Sequence, residues 1–313
     1  MVGHRTRTRP LWIVASLALA AAVSGAGTAA IATATGPDAG TWTAAEVSEQ
    51  VRTAEVSEGG YVALGDSYTS GPGIPDERPD AGTCDRSTSN YPALVAAALR
   101  PAAFADVSCS GAVTGDITGP RGGTPPQVDA LGPDTTLVTL GVGGNDAGFA
   151  PAVATCVVLG LLDAEGAPCN AHFTSGGGDR LAAGIDAVGP KLGAVLAEVR
   201  ERAPRATVLV VGYPALLPEA KDRCTVDQPI ATGDVPYLRS LNVRLNKVLA
   251  DQAAAAGATF VDTFASSAGH DACQAPGTRF VEGILGAEGA IPVHPNALGM
   301  RDMADQVLAA LGR

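Results

Sequence analysis

The first residue to weigh for chemistry is a serine that ends an apolar run. Ser67 follows Tyr61-Val62-Ala63-Leu64 through Gly65 and Asp66. It therefore falls at the carboxyl end of an expected strand, where a nucleophile faces a cleft. A serine in that position can equally open the next segment as a helix N-cap. The pattern G-x-S-x-G is absent, because Thr69 stands where its second glycine would be. A serine nucleophile needs a base, and beyond His4 the candidates are His172, His270 and His294. His172 lies between Cys169 and the run Ser175-Gly176-Gly177-Gly178, which reads as a surface loop. His270 adjoins Asp271, but neighbouring residues rarely aim their side chains at each other, so it reads as structural or cleft-lining. His294 stands just before an expected helix. Close metal-ligand pairs of the C-x-x-C or H-E-x-x-H kind do not occur in the sequence, so no metal is expected.

The elements that must position these residues alternate. Short apolar runs (YVALGDS, DTTLVTLGVGGND, ATVLVVGYP, TFVDTF) are separated by helical patterns (YPALVAAALR, DRLAAGIDAVGPKLGAVLAEVRERAP, YLRSLNVRLNKVLADQAAAAG), and a closing helix is expected from Ala297 to about Leu311. Any one run could be a buried helix segment, but the repeated alternation predicts a parallel sheet covered by helices. Catalytic side chains then belong on loops at the carboxyl ends of the strands. The stretch from Val153 to Leu162, rich in Val and Leu, reads as the lining of an acyl pocket or as an ordinary buried helix.

The text around Ser67, Ala63-Leu64-Gly65-Asp66-Ser67-Tyr68-Thr69-Ser70-Gly71, resembles the nucleophile block of the GDSL family of SGNH hydrolases. The family's other three blocks follow in order: Gly111 in SCSGAVTGDI, Asn145 in TLGVGGNDAGF and His294 in IPVHPNALGM. The resemblance runs from about Tyr61 to the C-terminus and implies a three-layer α/β/α fold with a central parallel sheet. It also implies a lipase or esterase that forms an acyl-enzyme on Ser67, with His294 as base and no cofactor. By the same analogy the oxyanion hole is the Ser67 and Gly111 backbone N–H groups and the Asn145 amide, each suited to donate to a developing oxyanion. Many members carry an Asp three residues before the histidine, and this chain has Ile291 there. The resemblance to secreted actinobacterial-type enzymes then suggests the Ile291 main-chain carbonyl as the group that orients the imidazole. It further suggests the disulfides Cys84–Cys109, Cys156–Cys169 and Cys224–Cys273, which sequence alone cannot select from 15 pairings of six cysteines. Asp66 and Asp146 adjoin site residues and read as loop braces, not proton carriers.

The remaining composition limits the function classes. A basic opening, the apolar run from Leu11 to Gly27 and a small-residue zone have the layout of a secretory signal, with a retained anchor as the rival. Residues 1–36 are thus expected to be a signal peptide, 37–59 a lead-in and 60–313 one catalytic domain. Loss of 1–36 removes Arg5, Arg7 and Arg9 and leaves 18 basic against 32 acidic side chains, a net charge of about −14. That balance disfavours nucleic acid and anionic membranes as partners. An even cysteine count in an exported chain fits disulfides. The expectation is a secreted monomer, with no stable membrane insertion after signal cleavage, acting on a small-molecule or lipid ester. Phospholipase A, carbohydrate deacetylation and a catalytically silent binding protein are the alternatives.

Overall fold

The apolar runs pair side by side, all parallel. The computed structural model describes residues 59–219 and 228–313. In it β1 (Gly60–Gly65), β2 (Ala103–Asp106), β3 (Thr135–Gly141), β4 (Thr207–Val211) and β5 (Thr259–Val261) form one sheet in the order β2-β1-β3-β4-β5. The helices are α1 (Ser67–Ser70), α2 (Tyr91–Leu99), α3 (Thr114–Thr118), α4 (Phe149–Leu162), α5 (Pro168–Thr174), α6 (Arg180–Asp186), α7 (Val188–Arg202), α8 (Val235–Ala255), α9 (Thr263–Ser266) and α10 (Ala297–Ala310). The expected signal peptide, most of the lead-in and Cys224 lie outside the described residues.

Alternate strand residues point to opposite faces. Tyr61, Ala63, Leu137 and Leu209 pack with Tyr91 and Val95 of α2 and Met300 and Met303 of α10. Val62, Leu64, Val138 and Leu140 pack the other way, against α6, α7 and α8 through residues such as Ile185, Leu192, Leu196 and Leu249. Burial on both faces explains why these strands read as continuous apolar runs and not as alternating ones. The result is the expected three-layer α/β/α fold.

Besides α5, which occupies the stretch around His172 read as a loop, two elements differ from expectation. The single helix read over residues 179–204 is two, α6 and α7, separated at Ala187. Pro190 explains the break: it has no N–H for a helical bond, and its ring would meet the carbonyl of Asp186, the last residue of α6, so it is accommodated in the first turn of a new helix. Strand β2 was not anticipated, because Ala103-Phe104-Ala105-Asp106 is a four-residue edge strand with one strong strand former.

The strand order reverses between β1 and β3, since β1 leads outward to β2 while β3 leads the other way to β4. A crevice forms beyond the carboxyl ends of such a pair. Ser67 follows β1 and Asn145 follows β3, so this topology brings both to the crevice.

Candidate active site

The nucleophile candidate sits on a tight turn. Gly65 ends β1 at φ 154°, and a Cβ there would lie 2.2 Å from Thr69 Oγ1 and 2.5 Å from the Gly141 carbonyl oxygen. Only glycine lets the chain pass this close to β3. Asp66 then caps α1, accepting from the Tyr68 N–H at 2.9 Å. Ser67 is the first residue of that helix and is 6% exposed.

His294 arrives from the segment before α10, where Asn296 caps the helix by accepting from the Leu298 and Gly299 N–H groups. Its Nε2 lies 2.8 Å from Ser67 Oγ, and its Nδ1 lies 2.8 Å from the Pro292 carbonyl oxygen. A carbonyl only accepts, so Nδ1 carries the proton and Nε2 presents a lone pair to the Ser67 hydroxyl. Burial holds the imidazole pKa below its usual value, opposed by the bond to Pro292. The ring is therefore a neutral acceptor near pH 7.

The orienting carbonyl is that of Pro292 and not, as the sequence suggested, that of Ile291. The Ile291 carbonyl accepts instead from the His294 N–H at 3.3 Å, closing a tight turn inside which the next carbonyl faces the ring. Val293 completes that turn at φ 62°, an uncommon conformation for a β-branched residue.

The expected oxyanion donors are locked to one another. The Cys109 N–H donates to the Gly65 carbonyl at 3.0 Å, which lays the loop carrying Gly111 beside the nucleophile turn. Gly111 has φ 76°. Asn145 Nδ2 donates to the Ala112 carbonyl at 2.9 Å, which leaves its second N–H. Asp146 accepts from the Thr114 N–H and hydroxyl, both at 2.7 Å, and pairs with Lys191 at 3.1 Å. Neither the Ser67 nor the Gly111 N–H has an acceptor among the described residues. The disulfide Cys84–Cys109 ties down the same loop two residues before Gly111.

Several residues that bind the site together had not been singled out. The Tyr213 hydroxyl donates to Asp66 Oδ2 at 2.5 Å and accepts from the Gly144 N–H at 2.8 Å, joining the nucleophile turn to the Asn145 loop. The Tyr68 hydroxyl donates to the Val293 carbonyl at 2.5 Å, joining the same turn to the histidine loop. Behind that loop Glu282 forms a buried ion pair with Arg279 and accepts from Asn296 Nδ2 at 2.9 Å. Tyr213 follows β4 directly, so its place at a strand's carboxyl end was the available signal. Asp66 is buried, and burial pushes its carboxyl up to about 7 against the stabilising bonds from Tyr213 and Tyr68. Those bonds make it a brace.

The other histidines lie in other surroundings. His270 stacks on Phe280 at 4.0 Å with Nδ1 on the Thr278 carbonyl. His172 is exposed, as expected, but it lies on helix α5 against Phe173 and not in a loop. The bridges Cys84–Cys109 and Cys156–Cys169 are present, and Cys273 is also disulfide-bonded. Among the described residues no cluster of three or more His, Cys, Asp or Glu side chains could hold a metal.

Ser67, His294 and Asn145 open onto one cavity. Its walls are apolar: Phe149 and Val153 of α4, Ile185 of α6, and Leu238, Leu241 and Leu245 of α8. Several of the polar side chains that line it hold backbone groups. Asn242 accepts from the Leu216 N–H, Gln228 bonds to Ala272 and Ile284, and Arg239 donates to the Leu217 carbonyl.

Comparison with known proteins agrees with this geometry. A profile of the GDSL-like lipase/acylhydrolase family matches residues 63–301. Lipase 2 of Streptomyces coelicolor is 44% identical over 256 residues, which is 80% of this chain and 85% of that one. The crystal structure of phospholipase A1 from Streptomyces albidoflavus superposes with a TM-score of 0.69 at 33% identity, covering 80% of this chain and 99% of that one. The extracellular lipase of Streptomyces rimosus gives 0.68 at 32%, with the same coverage. The chain belongs to the GDSL-like lipase/acylhydrolase family and is a carboxylic ester hydrolase.

Proposed function

We propose that the protein is a secreted lipase or esterase that cleaves acyl esters through an acyl-enzyme on Ser67. The observation that carries this reading is the contact of His294 Nε2 with Ser67 Oγ at 2.8 Å, with Nδ1 held by the Pro292 carbonyl. Ser67 Oγ attacks the ester carbonyl carbon while Nε2 takes the hydroxyl proton. The displaced electron pair rests on the carbonyl oxygen, which receives the N–H groups of Ser67, Gly111 and Asn145. The imidazolium then protonates the departing alcohol oxygen as the carbon–oxygen bond breaks. Water attacks the acyl-enzyme with His294 as base, and the proton returns to Ser67. The Pro292 carbonyl fixes the tautomer as a carboxylate would, and stabilises the imidazolium less.

The cavity walls, mostly apolar, favour an acyl chain over a carbohydrate, whose many hydroxyls need a denser set of polar partners. Export is supported by the leader pattern in residues 1–36 and by the disulfides. Hydrolysis of a p-nitrophenyl ester series from acetate to palmitate tests the reading. Turnover is expected for the wild type and only background for Ser67→Ala. A series in which neither protein cleaves any ester leaves a binding protein as the reading.

A further inference from the structure

A helix exposed on a protein surface ordinarily turns polar residues to water, and one that is apolar all round is ordinarily buried. Helix α4, Phe149–Leu162, is neither. Its sequence FAPAVATCVVLGLL contains no charged residue. Ala152, Cys156 and Gly160 form its buried stripe. The opposite stripe, Pro151, Ala154, Val158, Leu161 and Leu162, is exposed and follows the helical repeat along one face. Val158, Leu161 and Leu162 are 58%, 70% and 80% exposed. Such a patch marks a contact surface.

The occupant is indicated by what the rest of the helix does. Its first residues, Phe149, Ala152 and Val153, line the cavity that holds Ser67 and His294. Leu162 lies nine positions beyond Val153, a rise of about 13 Å. The apolar surface thus continues from the catalytic cavity out to solvent without a charged residue between. The helix is also a fixed face: Cys156 is bridged to Cys169, and α5 is held at its start by Asp234, which accepts from the Cys169 and Asn170 N–H groups. Asp163 and Glu165 follow the helix directly, and the whole chain carries net charge −11, so an anionic surface is disfavoured.

We propose that α4 is the docking face by which this protein lies on the uncharged or zwitterionic surface of aggregated acyl lipid, so that an acyl chain passes from the aggregate along the helix into the cavity. The apolar side chains of such a helix enter the headgroup and acyl boundary, where their burial drives binding. The choice of occupant rests on the ester-hydrolase reading.

The test uses Ser67→Ala protein and sedimented phosphatidylcholine vesicles, which that variant leaves intact. The protein is expected to partition onto the vesicles, and adding Leu161→Ser with Leu162→Ser should lower the partition coefficient about tenfold or more. In the active protein the same pair should lower turnover of a triacylglycerol emulsion while leaving a soluble, monomeric short-chain ester within about twofold, because both residues are on the surface. Equal partitioning of the two proteins overturns the proposal. A wild-type dimer in sedimentation that the double variant converts to monomer also overturns it, since the face then belongs to a second copy. If the double variant fails to fold, Leu162→Trp decides: a blue shift of its emission on adding vesicles supports the proposal, and no shift overturns it. Failure to cleave the soluble ester contradicts the enzyme reading instead, and vesicle binding remains a separate readout.

Discussion

The proposed base, His294, is oriented by a main-chain oxygen, so the Ile291 side chain, at the position where the family resemblance led an acid to be expected, has little to do. Ile291 is 38% exposed, and its own carbonyl closes the turn. Ile291→Ala is therefore expected to keep kcat within about twofold; a loss as deep as that of His294→Ala would mean that the side chain orients the ring. Tyr68 makes a different kind of contact, from the residue beside the nucleophile to the residue before the base. Tyr68→Phe leaves the ring in place and removes the bond to the Val293 carbonyl, at a cost of about 1–2 kcal/mol of stability. Because that carbonyl belongs to the turn that aims His294, kcat should fall with little change in KM. Unchanged kcat would make the bond purely structural. The imidazole must be neutral to act, and burial lowers its pKa, so kcat/KM should rise with pH through a midpoint below the usual imidazole value and then level off. Asp66 has the opposite sign. Its folded carboxyl titrates at about 7, well above an unfolded aspartate, so the folded state holds a proton that the unfolded state has lost. The associated stability is full below the unfolded value and is lost as pH rises through about 7. The melting temperature should drop between about pH 5 and about pH 8, and the drop should be smaller in Asp66→Asn.

Single elements hold the catalytic loops in register. The loop with Gly111 is tied to β1 by the Cys109–Gly65 bond, to Asn145 through Ala112, to Asp146 through Thr114, and to Cys84 through a disulfide that spans 25 residues. Replacing Cys84 and Cys109 by Ala should cost about 3 kcal/mol, read as a lower melting temperature. Activity should fall further than KM rises, because the loosened loop carries Gly111, the proposed oxyanion donor. At this scale the sequence was most legible where one pattern filled an element. β1, β3, β4 and α10 were readable because a buried parallel strand is a continuous apolar run and Asn296 marks a helix start. The division at Ala187 turned on Pro190, which a long amphipathic pattern conceals, and β2 on four residues with little strand preference. The site candidates were legible as a set of four, since each residue alone has an ordinary structural reading. The tyrosine struts were not, because their partners lie 69 to 225 residues away in sequence.

The whole molecule places its candidate site where the strand order reverses and backs it with an apolar cavity. Each methylene that enters such a cavity is worth about 0.8 kcal/mol, so kcat/KM should climb about fourfold per added carbon until the cavity is filled. A flat chain-length profile would place the acyl group outside it. The acidic balance of the chain and the uncharged helix α4 are properties of the surface that no single motif reveals. The central claim concerns one oxygen atom, and covalent labelling tests it most directly. The purified protein is treated with an alkyl fluorophosphonate and mapped by peptide mass spectrometry. The expected result is one adduct on Ser67, absent from Ser67→Ala and slow to form in His294→Ala. An adduct on another residue, or ester hydrolysis that survives in Ser67→Ala, would contradict the account.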